Sequence, residues 1–523
     1  MLTERIVLSA VVEAGAAAAQ LRALLEGSGR IAVRDEEPAL HDSRDVRSRS
    51  GEARPGEVPV RMRMVERSNV RLAAELGAEG YRLDVHTGGV TVVSASPEGF
   101  LHAVSTLRQL LPASFERPLR GPRDEAGKQA RAQTEERVAT LPCLEITDRP
   151  RFSWRGFHFD VARHFFPLSV IREIIDLLSL YKMNRFHWHL TDDQGWRIEI
   201  KSHPELTAVG GFRTEESGAR EGGFYTQEVI REVIDYAAAR GITVVPEIEM
   251  PGHAGAALAA HPDLSCRRQP LAVSSKGGIS KEVFCAGREE TFNLLEEVLG
   301  EVCELFPSTH IHVGGDECPK DRWRECPDCR RRMQENGLAD EDELQSYFIR
   351  RIGEYLRLRG KRLVGWDEIL EGGLAPDSTV MSWRGVDGGV AAARSGHDAV
   401  MCPTSHCYFD YRQSANPGEP GPTHFHPPVT TLEKVYGFEP IPPSLEPEEA
   451  ARILGGQANL WTEEVATAER AEYMLMPRLC ALAEALWSPA DARDWESFKR
   501  RLKRHAARLD RLGIVYCHTL ESM

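Results

Sequence analysis

Residues 310–319 read HIHVGGDECP. Alternating Ile311 and Val313 between histidines predict a short strand, and the glycine pair Gly314-Gly315 ends it. Two acids, Asp316 and Glu317, follow directly. Adjacent carboxylates repel and resist burial, so a fold that keeps them at a strand end needs a use for them.

Seven further runs have the same form: GFHFDVA (156–162), RFHWHLT (185–191), TVVPEIE (243–249), RLVGWDE (362–368), TVMSWRG (379–385), AVMCPTS (399–405) and GGQANLW (455–461). Between them lie segments of helical period, such as LSVIREIIDLLSLYKM, TQEVIREVIDYAAARG and RAEYMLMPRLCALAEAL. Eight βα units predict an α/β protein built on a (β/α)8 TIM barrel over residues 145–490. A doubly wound open sheet is the alternative, and the lack of a glycine-rich fingerprint after the first strand counts against it.

A barrel carries its active site at the C-terminal strand ends. Polar and aromatic residues gather at all eight ends of this chain. In order they are Asp160 and Arg163; Asp192 and Asp193; Glu247, Glu249 and His253; Asp316 and Glu317; Trp366, Asp367 and Glu368; Trp383 and Arg384; Tyr408 and Asp410; Trp461 and Glu463.

Ahead of the barrel, residues 1–112 read as a small α+β domain. ERIVLSAVV is strand-like, AGAAAAQLRALLEGSG is helical and closes on glycine, and GYRLDVHTGGVTVVSA is a hairpin turning at Thr87-Gly88-Gly89. SPEGFLHAVSTLRQLLP is a helix capped by Ser96 with Pro97 in its first turn. Residues 113–144 are polar and arginine-rich and are expected to be a linker or surface excursion. Residues 491–523 are expected to be a C-terminal helical segment on the barrel. Its WESFKRRLKRHAARLDRLG has one leucine stripe and a solvated basic face.

The net charge of −14 over 523 residues disfavours nucleic acid as a partner. MLTERIVLSAVVEAG lacks a basic leader region, and no run is long enough to span a bilayer, so a soluble, cytoplasmic chain without a membrane partner is the expectation. Eleven cysteines cannot all pair internally, and most are expected to be reduced.

Carboxylates beside several tryptophans point to carbohydrate, because sugar rings pack their C–H faces on aromatics and offer hydroxyls to acids and arginine. Glycosidases commonly use two carboxyls, about 5–5.5 Å apart when both act from the protein with retention. Sequence neighbours suit that badly, since successive strand side chains point to opposite faces.

RGFHFDVARHF, NRFHWHLTDDQGW, VVPEIEMPGHA, HIHVGGDE, LVGWDE, YFD and LWTEE, in this order, resemble glycoside hydrolase family 20, the β-N-acetylhexosaminidases. The resemblance implies a retaining exo-glycosidase that releases terminal GlcNAc, and possibly GalNAc, from oligosaccharides or glycoconjugates without a cofactor or metal. It implies that the substrate's own 2-acetamido oxygen is the nucleophile and an oxazolinium ion the intermediate. Glu317 then matches the general acid, and Asp316 the acid that orients the acetamido N–H. Arg163 matches a grip on the sugar hydroxyls, with Asp192 holding the arginine; Glu463 also binds hydroxyls. Tyr408 matches the donor to the acetamido oxygen, with Asp410 beside it. Trp366, Trp383 and Trp461 match the acetamido pocket and the floor under the ring. Glu249 and His253 match an acid–histidine pair supporting Glu317; Glu249 is one methylene longer than the aspartate frequent in the family. Where the family often has a tryptophan after YFD, this chain has RQSANPGEPGPTHFHPP, with Phe425 as the available aromatic. A catalytically silent sugar-binding protein and a metal-dependent hydrolase are the rival readings.

Other features have plainer readings. His187 and His189 share a strand face and are expected in the core or behind the site rather than on a metal. Cys318, Cys326 and Cys329 resemble part of a zinc site, but no fourth ligand stands nearby, so a disulfide or free thiols are expected. Trp154 and Trp196 are expected to be packing residues.

Overall fold

The computed structural model describes residues 5–27, 32–36, 57–65, 69–120, 141–423 and 427–518. Phe425 lies outside them, as does most of the expected linker.

The N-terminal domain is a six-stranded sheet of β1 (Arg5–Ala10), β2 (Ala32–Glu36), β3 (Glu57–Met64), β4 (Tyr81–His86), β5 (Gly89–Ser94) and β6 (Leu144–Asp148), in the order β2-β1-β3-β5-β4-β6. Tyr81, Leu83 and Val85 of β4 alternate inward, as a half-buried strand requires. They pack with Leu21 and Leu25 of helix Gly15–Gly27 and with Phe100, Val104 and Leu107 of helix Pro97–Leu110. Ser96 caps the second helix by accepting a hydrogen bond from Gly99 N–H at 3.1 Å.

Two expected boundaries change. Strand β6 pairs antiparallel with β4 from Leu144 to Asp148, so these residues belong to the N-terminal sheet and not to the barrel domain that was expected to begin at 145. The described start of the expected linker is packed rather than loose. Phe115 is buried, and the buried Glu116 accepts hydrogen bonds from Arg108 at 2.7 Å and from Arg508. Arg508 therefore corrects the expectation of a solvated basic face on the C-terminal helix: within Trp495–Leu512 it is buried beside the expected leucine stripe of Leu502 and Leu509.

The barrel strands are β7 (Trp154–Asp160), β8 (Arg185–His189), β9 (Thr243–Met250), β10 (His310–Gly314), β11 (Arg362–Trp366), β12 (Thr379–Ser382), β13 (Asp398–Met401) and β14 (Ile453–Leu460). All pairings are parallel, and β14 closes on β7. Each expected strand run forms one of them. Amphipathic helices such as Leu168–Leu180 and Gln227–Ala238 cover the outside. The helical run 470–486 is divided into Ala468–Leu475 and Arg478–Trp487, because Pro477 has no N–H to donate and its ring clashes with the preceding turn. Trp154 and Trp196 are buried packing residues.

The barrel interior is unusually polar. Register places Asp160 opposite His189, His189 opposite Glu247, and Glu247 opposite His312. These side chains form a layer just beneath the C-terminal mouth, and all four are fully buried.

Candidate active site

The glycine pair in HIHVGGDE has a geometric cause. Gly314 and Gly315 adopt φ of +70° and +89°, which side-chain-bearing residues rarely tolerate. A Cβ on Gly314 would lie 1.6 Å from Glu249 Oε2, and one on Gly315 would lie 2.5 Å from Ile369 Cγ2. The chain thus leaves strand geometry before the two acids, and Glu317 itself is left-handed at φ +42°. The acids are not equivalent: the Asp316 side chain is 10% exposed and that of Glu317 36%.

Both carboxylates face one histidine. His253 Nε2 is 3.7 Å from Asp316 Oδ2 and 3.7 Å from Glu317 Oε2, and has no hydrogen-bond partner among the described residues. Its other nitrogen, Nδ1, is 3.2 Å from Asp192 Oδ1. Burial disfavours a charged His253, but Asp192 above all, with Asp316 and Asp193, raises its pKa well above the ordinary imidazole value. Asp316 is pushed up to about 7, by burial first and then by Glu247 and Glu317, against the opposing pull of His253.

Asp192 is a junction. Its Oδ2 is 2.9 Å from Arg163 Nη2 and 2.9 Å from His189 Nε2. His189 Nδ1 is 2.5 Å from Glu247 Oε2, while Glu247 Oε1 lies 2.7 Å from His312 Nδ1 and accepts from Trp366 Nε1 at 2.9 Å. One continuous polar path therefore runs from the two acids into the barrel interior. Despite burial, Glu247 stays well below the usual carboxylate range because His312, His189 and His187 surround it. His189 is held up at about 10, where Glu247 and Asp192 outweigh its burial.

Arg163 is fixed on several sides. Asp160 Oδ2 accepts from its Nη1 at 3.1 Å, Gln194 Oε1 from its Nε at 3.1 Å, and Glu463 Oε1 lies 3.6 Å from Nη2. Its guanidinium sits 5.0 Å from the Trp461 ring centroid. Trp383 and Tyr408 stack at 6.1 Å, and Trp383 Nε1 donates to Glu368 Oε2 at 2.9 Å. Asp410 Oδ1 has no hydrogen-bond partner, and burial together with Glu463 raises the Asp410 pKa well above its ordinary value.

The family model "Glycosyl hydrolase family 20, catalytic domain" matches residues 152–490, and "Glycosyl hydrolase family 20, domain 2" matches residues 2–149. The chain belongs to glycosyl hydrolase family 20. It is 47% identical over 448 residues to a beta-hexosaminidase of Porphyromonas gingivalis, covering 86% of this chain and 56% of that protein. Thus it spans little more than half the length of that relative. A beta-hexosaminidase of Akkermansia muciniphila is 35% identical, covering 82% of this chain and 83% of that protein. Among solved structures, the family 20 exo beta-N-acetylglucosaminidase of Vibrio harveyi in complex with N-acetylglucosamine superposes with a TM-score of 0.81 at 33% identity, covering 99% of this chain and 75% of that one. The Streptomyces coelicolor beta-N-acetylhexosaminidase gives a TM-score of 0.79 at 30% identity, covering 99% and 94%.

Within this family 20 chain, three expectations about individual residues change. The acid partner of His253 is Asp192, not Glu249. Glu249 lies one layer deeper, directed at Glu247, and burial, Asp316 and Glu247 raise its pKa well above the usual range. Trp366 is fully enclosed between Glu247 and the Trp461 ring 5.7 Å away, so it underlies the pocket rather than forming its wall. Cys318 stands apart from the cysteine cluster. Cys326 and Cys329 meet Cys266 and Cys285 instead. Sequence reading also missed Gln194 as a support for Arg163 and Glu368 as the anchor of Trp383. Both stand at barrel strand ends, but only contacts across the mouth reveal what they hold.

Proposed function

We propose that this family 20 protein is a retaining exo-β-N-acetylhexosaminidase. It hydrolyses terminal non-reducing GlcNAc from oligosaccharides or glycoconjugates by substrate-assisted catalysis. One observation carries the reading: Asp316 and Glu317 both approach the same nitrogen of His253 at 3.7 Å. Carboxylates sharing one side of the mouth cannot flank an anomeric carbon as acid and opposing nucleophile. The attacking atom is then the acetamido oxygen of the sugar, whose intramolecular reach removes much of the entropic cost of attack.

The roles divide by exposure. Glu317 reaches solvent and protonates the leaving oxygen, then activates water. Asp316 is buried and steadies the acetamido N–H as positive charge grows on it. His253, held through Nδ1 by Asp192, positions the pair. Arg163 and Glu463 take sugar hydroxyls, and Asp410 has a carboxylate oxygen free to accept another. Tyr408 donates to the acetamido oxygen between Trp383 and Trp461, with Trp366 beneath and Glu249 as buried support. The cation–π contact of Arg163 on Trp461 aligns the hydroxyl grip with the ring floor.

The test compares phenyl β-N-acetylglucosaminide with phenyl β-glucoside. The glucoside lacks the internal nucleophile and should be nearly inert; comparable turnover of the two overturns substrate assistance. Glu317→Gln should lose about 10²–10⁴-fold on the phenyl leaving group. A rate equal to the parent's removes Glu317 from the acid role.

A further inference from the structure

Four cysteines from two segments of the chain converge beside the mouth. Cys266 follows the short helix Pro262–Leu264, and Cys285 ends the long loop that begins there. Cys326 caps helix Pro327–Asn336, and Cys329 lies in its first turn. Their sulfurs all lie within 4.8 Å of one another. Cys285 Sγ is 3.7 Å from both Cys326 Sγ and Cys329 Sγ, and Cys266 Sγ is 3.8 Å from Cys329 Sγ.

These distances are diagnostic. A disulfide needs sulfurs about 2.05 Å apart. A tetrahedron of thiolates about 2.3 Å from a central zinc has edges of about 3.8 Å. Three of the sulfur pairs, at 3.7–3.8 Å, match that edge, and all four sulfurs stay within 4.8 Å of one another. Three of the four residues are buried and the fourth, Cys266, is half-buried. The Cys329 backbone N–H is directed at the Cys326 sulfur, across the Cys-x-x-Cys turn.

The surroundings are built to bring the two segments together. A Cβ on Gly287 would lie 2.1 Å from the carbonyl carbon of Asp328 and 2.3 Å from Cys329 N, so only glycine permits this approach. Trp323 Nε1 donates to Phe284 O at 2.9 Å, and Arg268 pairs with Asp328.

We propose that Cys266, Cys285, Cys326 and Cys329 bind one zinc(II) ion as a closed, structural tetrathiolate site. Four protein ligands leave no position open for water, which separates this site from a catalytic one. The ion ties loop 267–284 to the segment that follows Glu317. That loop reaches the sugar grip: Lys276 O accepts from Gln194 Nε2 at 2.9 Å, and Gln194 Oε1 accepts from Arg163 Nε at 3.1 Å. The zinc thus holds in place a segment that supports Arg163 without touching the reacting atoms.

The full-length protein, purified without added metal or chelator, should carry about one zinc per chain by mass spectrometry of metals, and a mercurial reagent that caps thiolates should release it. Cys285→Ser and Cys326→Ser should lose the zinc, while Cys143→Ser and Cys318→Ser should keep it. If the first two variants do not fold, the parent protein decides. Replacing its metal with cobalt(II) should give sulfur-to-cobalt charge-transfer bands and the intense visible bands of a tetrahedral ion. Three results overturn the assignment: no stoichiometric metal with an octahedral or absent cobalt spectrum, an intact mass lowered by a disulfide among these cysteines, or iron in place of zinc. None of these readouts depends on hexosaminidase activity.

Discussion

Replacing Asp192 with asparagine separates two accounts of how His253 is held. Four donors surround the carboxylate. Oδ1 faces His253 Nδ1 at 3.2 Å and Asp193 N at 2.6 Å, and Oδ2 faces Arg163 Nη2 and His189 Nε2, each at 2.9 Å. An amide keeps one accepting edge and turns a donor toward the other. Arg163 is always charged and holds the oxygen, so the new N–H₂ points at His253 Nδ1. The imidazole then carries its proton on Nε2, toward Asp316 and Glu317. The donor edge loses the hydrogen bonds from both His253 Nδ1 and Asp193 N, at a cost of about 3–4 kcal/mol, or roughly 150- to 900-fold in kcat/KM. Glu249→Gln should behave differently. Its raised pKa keeps the carboxyl neutral, with its proton directed at Glu247, and a glutamine N–H₂ can donate the same way, so the amide is nearly isosteric and isoelectronic with what it replaces. Its kcat/KM should stay within about threefold of the parent, as expected where no hydrogen bond is lost. The assay is kcat/KM on phenyl β-N-acetylglucosaminide for both variants, with nitrogen NMR of His253 reporting the tautomer. A collapse in Glu249→Gln beside near-parental Asp192→Asn would refute the reasoning.

Two further outcomes follow from buried charges. Burial first, then Glu247 and Glu317, push the Asp316 carboxyl up to about 7, and in the proposed mechanism its ionised form steadies a positive acetamido nitrogen. The kcat/KM profile should therefore fall tenfold per pH unit below that value, and Asp316→Asn should abolish this limb; an unchanged limb would assign it elsewhere. Stability should move the other way. An unfolded aspartate titrates near about 3.9, so between about 4 and 7 the native state binds the extra proton and the unfolding free energy falls as pH rises, which denaturant titration across this range can read. At the domain junction, Arg508→Ala removes a buried guanidinium from Glu116, which keeps Arg108 at 2.7 Å. A loss of about 3 kcal/mol in urea unfolding is expected, at the low end for a broken buried pair, and a change below about 0.5 kcal/mol would contradict the burial argument.

Much of the fold was legible because each barrel strand is a short apolar run closed by acids or aromatics, a pattern that local reading captures. The acids 316 and 317 were legible for the same reason. What escaped is what depends on distant partners. Strand β6 joins its sheet only after a long polar stretch, so Leu144 read as the end of the linker and the other four residues as the start of the next domain. Asp192 contacts Arg163 and His253 at once, and a linear reading gave it only the first. Trp366 looks like a wall from its motif and proves to be interior because Glu247, more than a hundred residues earlier, draws its indole inward. Cys266 and Cys285 lie too far upstream of Cys326 for spacing to connect them. Pro477 was a visible break that helical periodicity on both sides outweighed.

Glu317 sits in a left-handed turn, a posture that costs a side-chain-bearing residue about 1–2 kcal/mol. Glycine there would relax the backbone and leave a sturdier protein without its proposed proton donor. Selection for robustness alone would thus erode this position first, and a thermally improved but inert variant is the natural failure of any screen that scores folding without turnover.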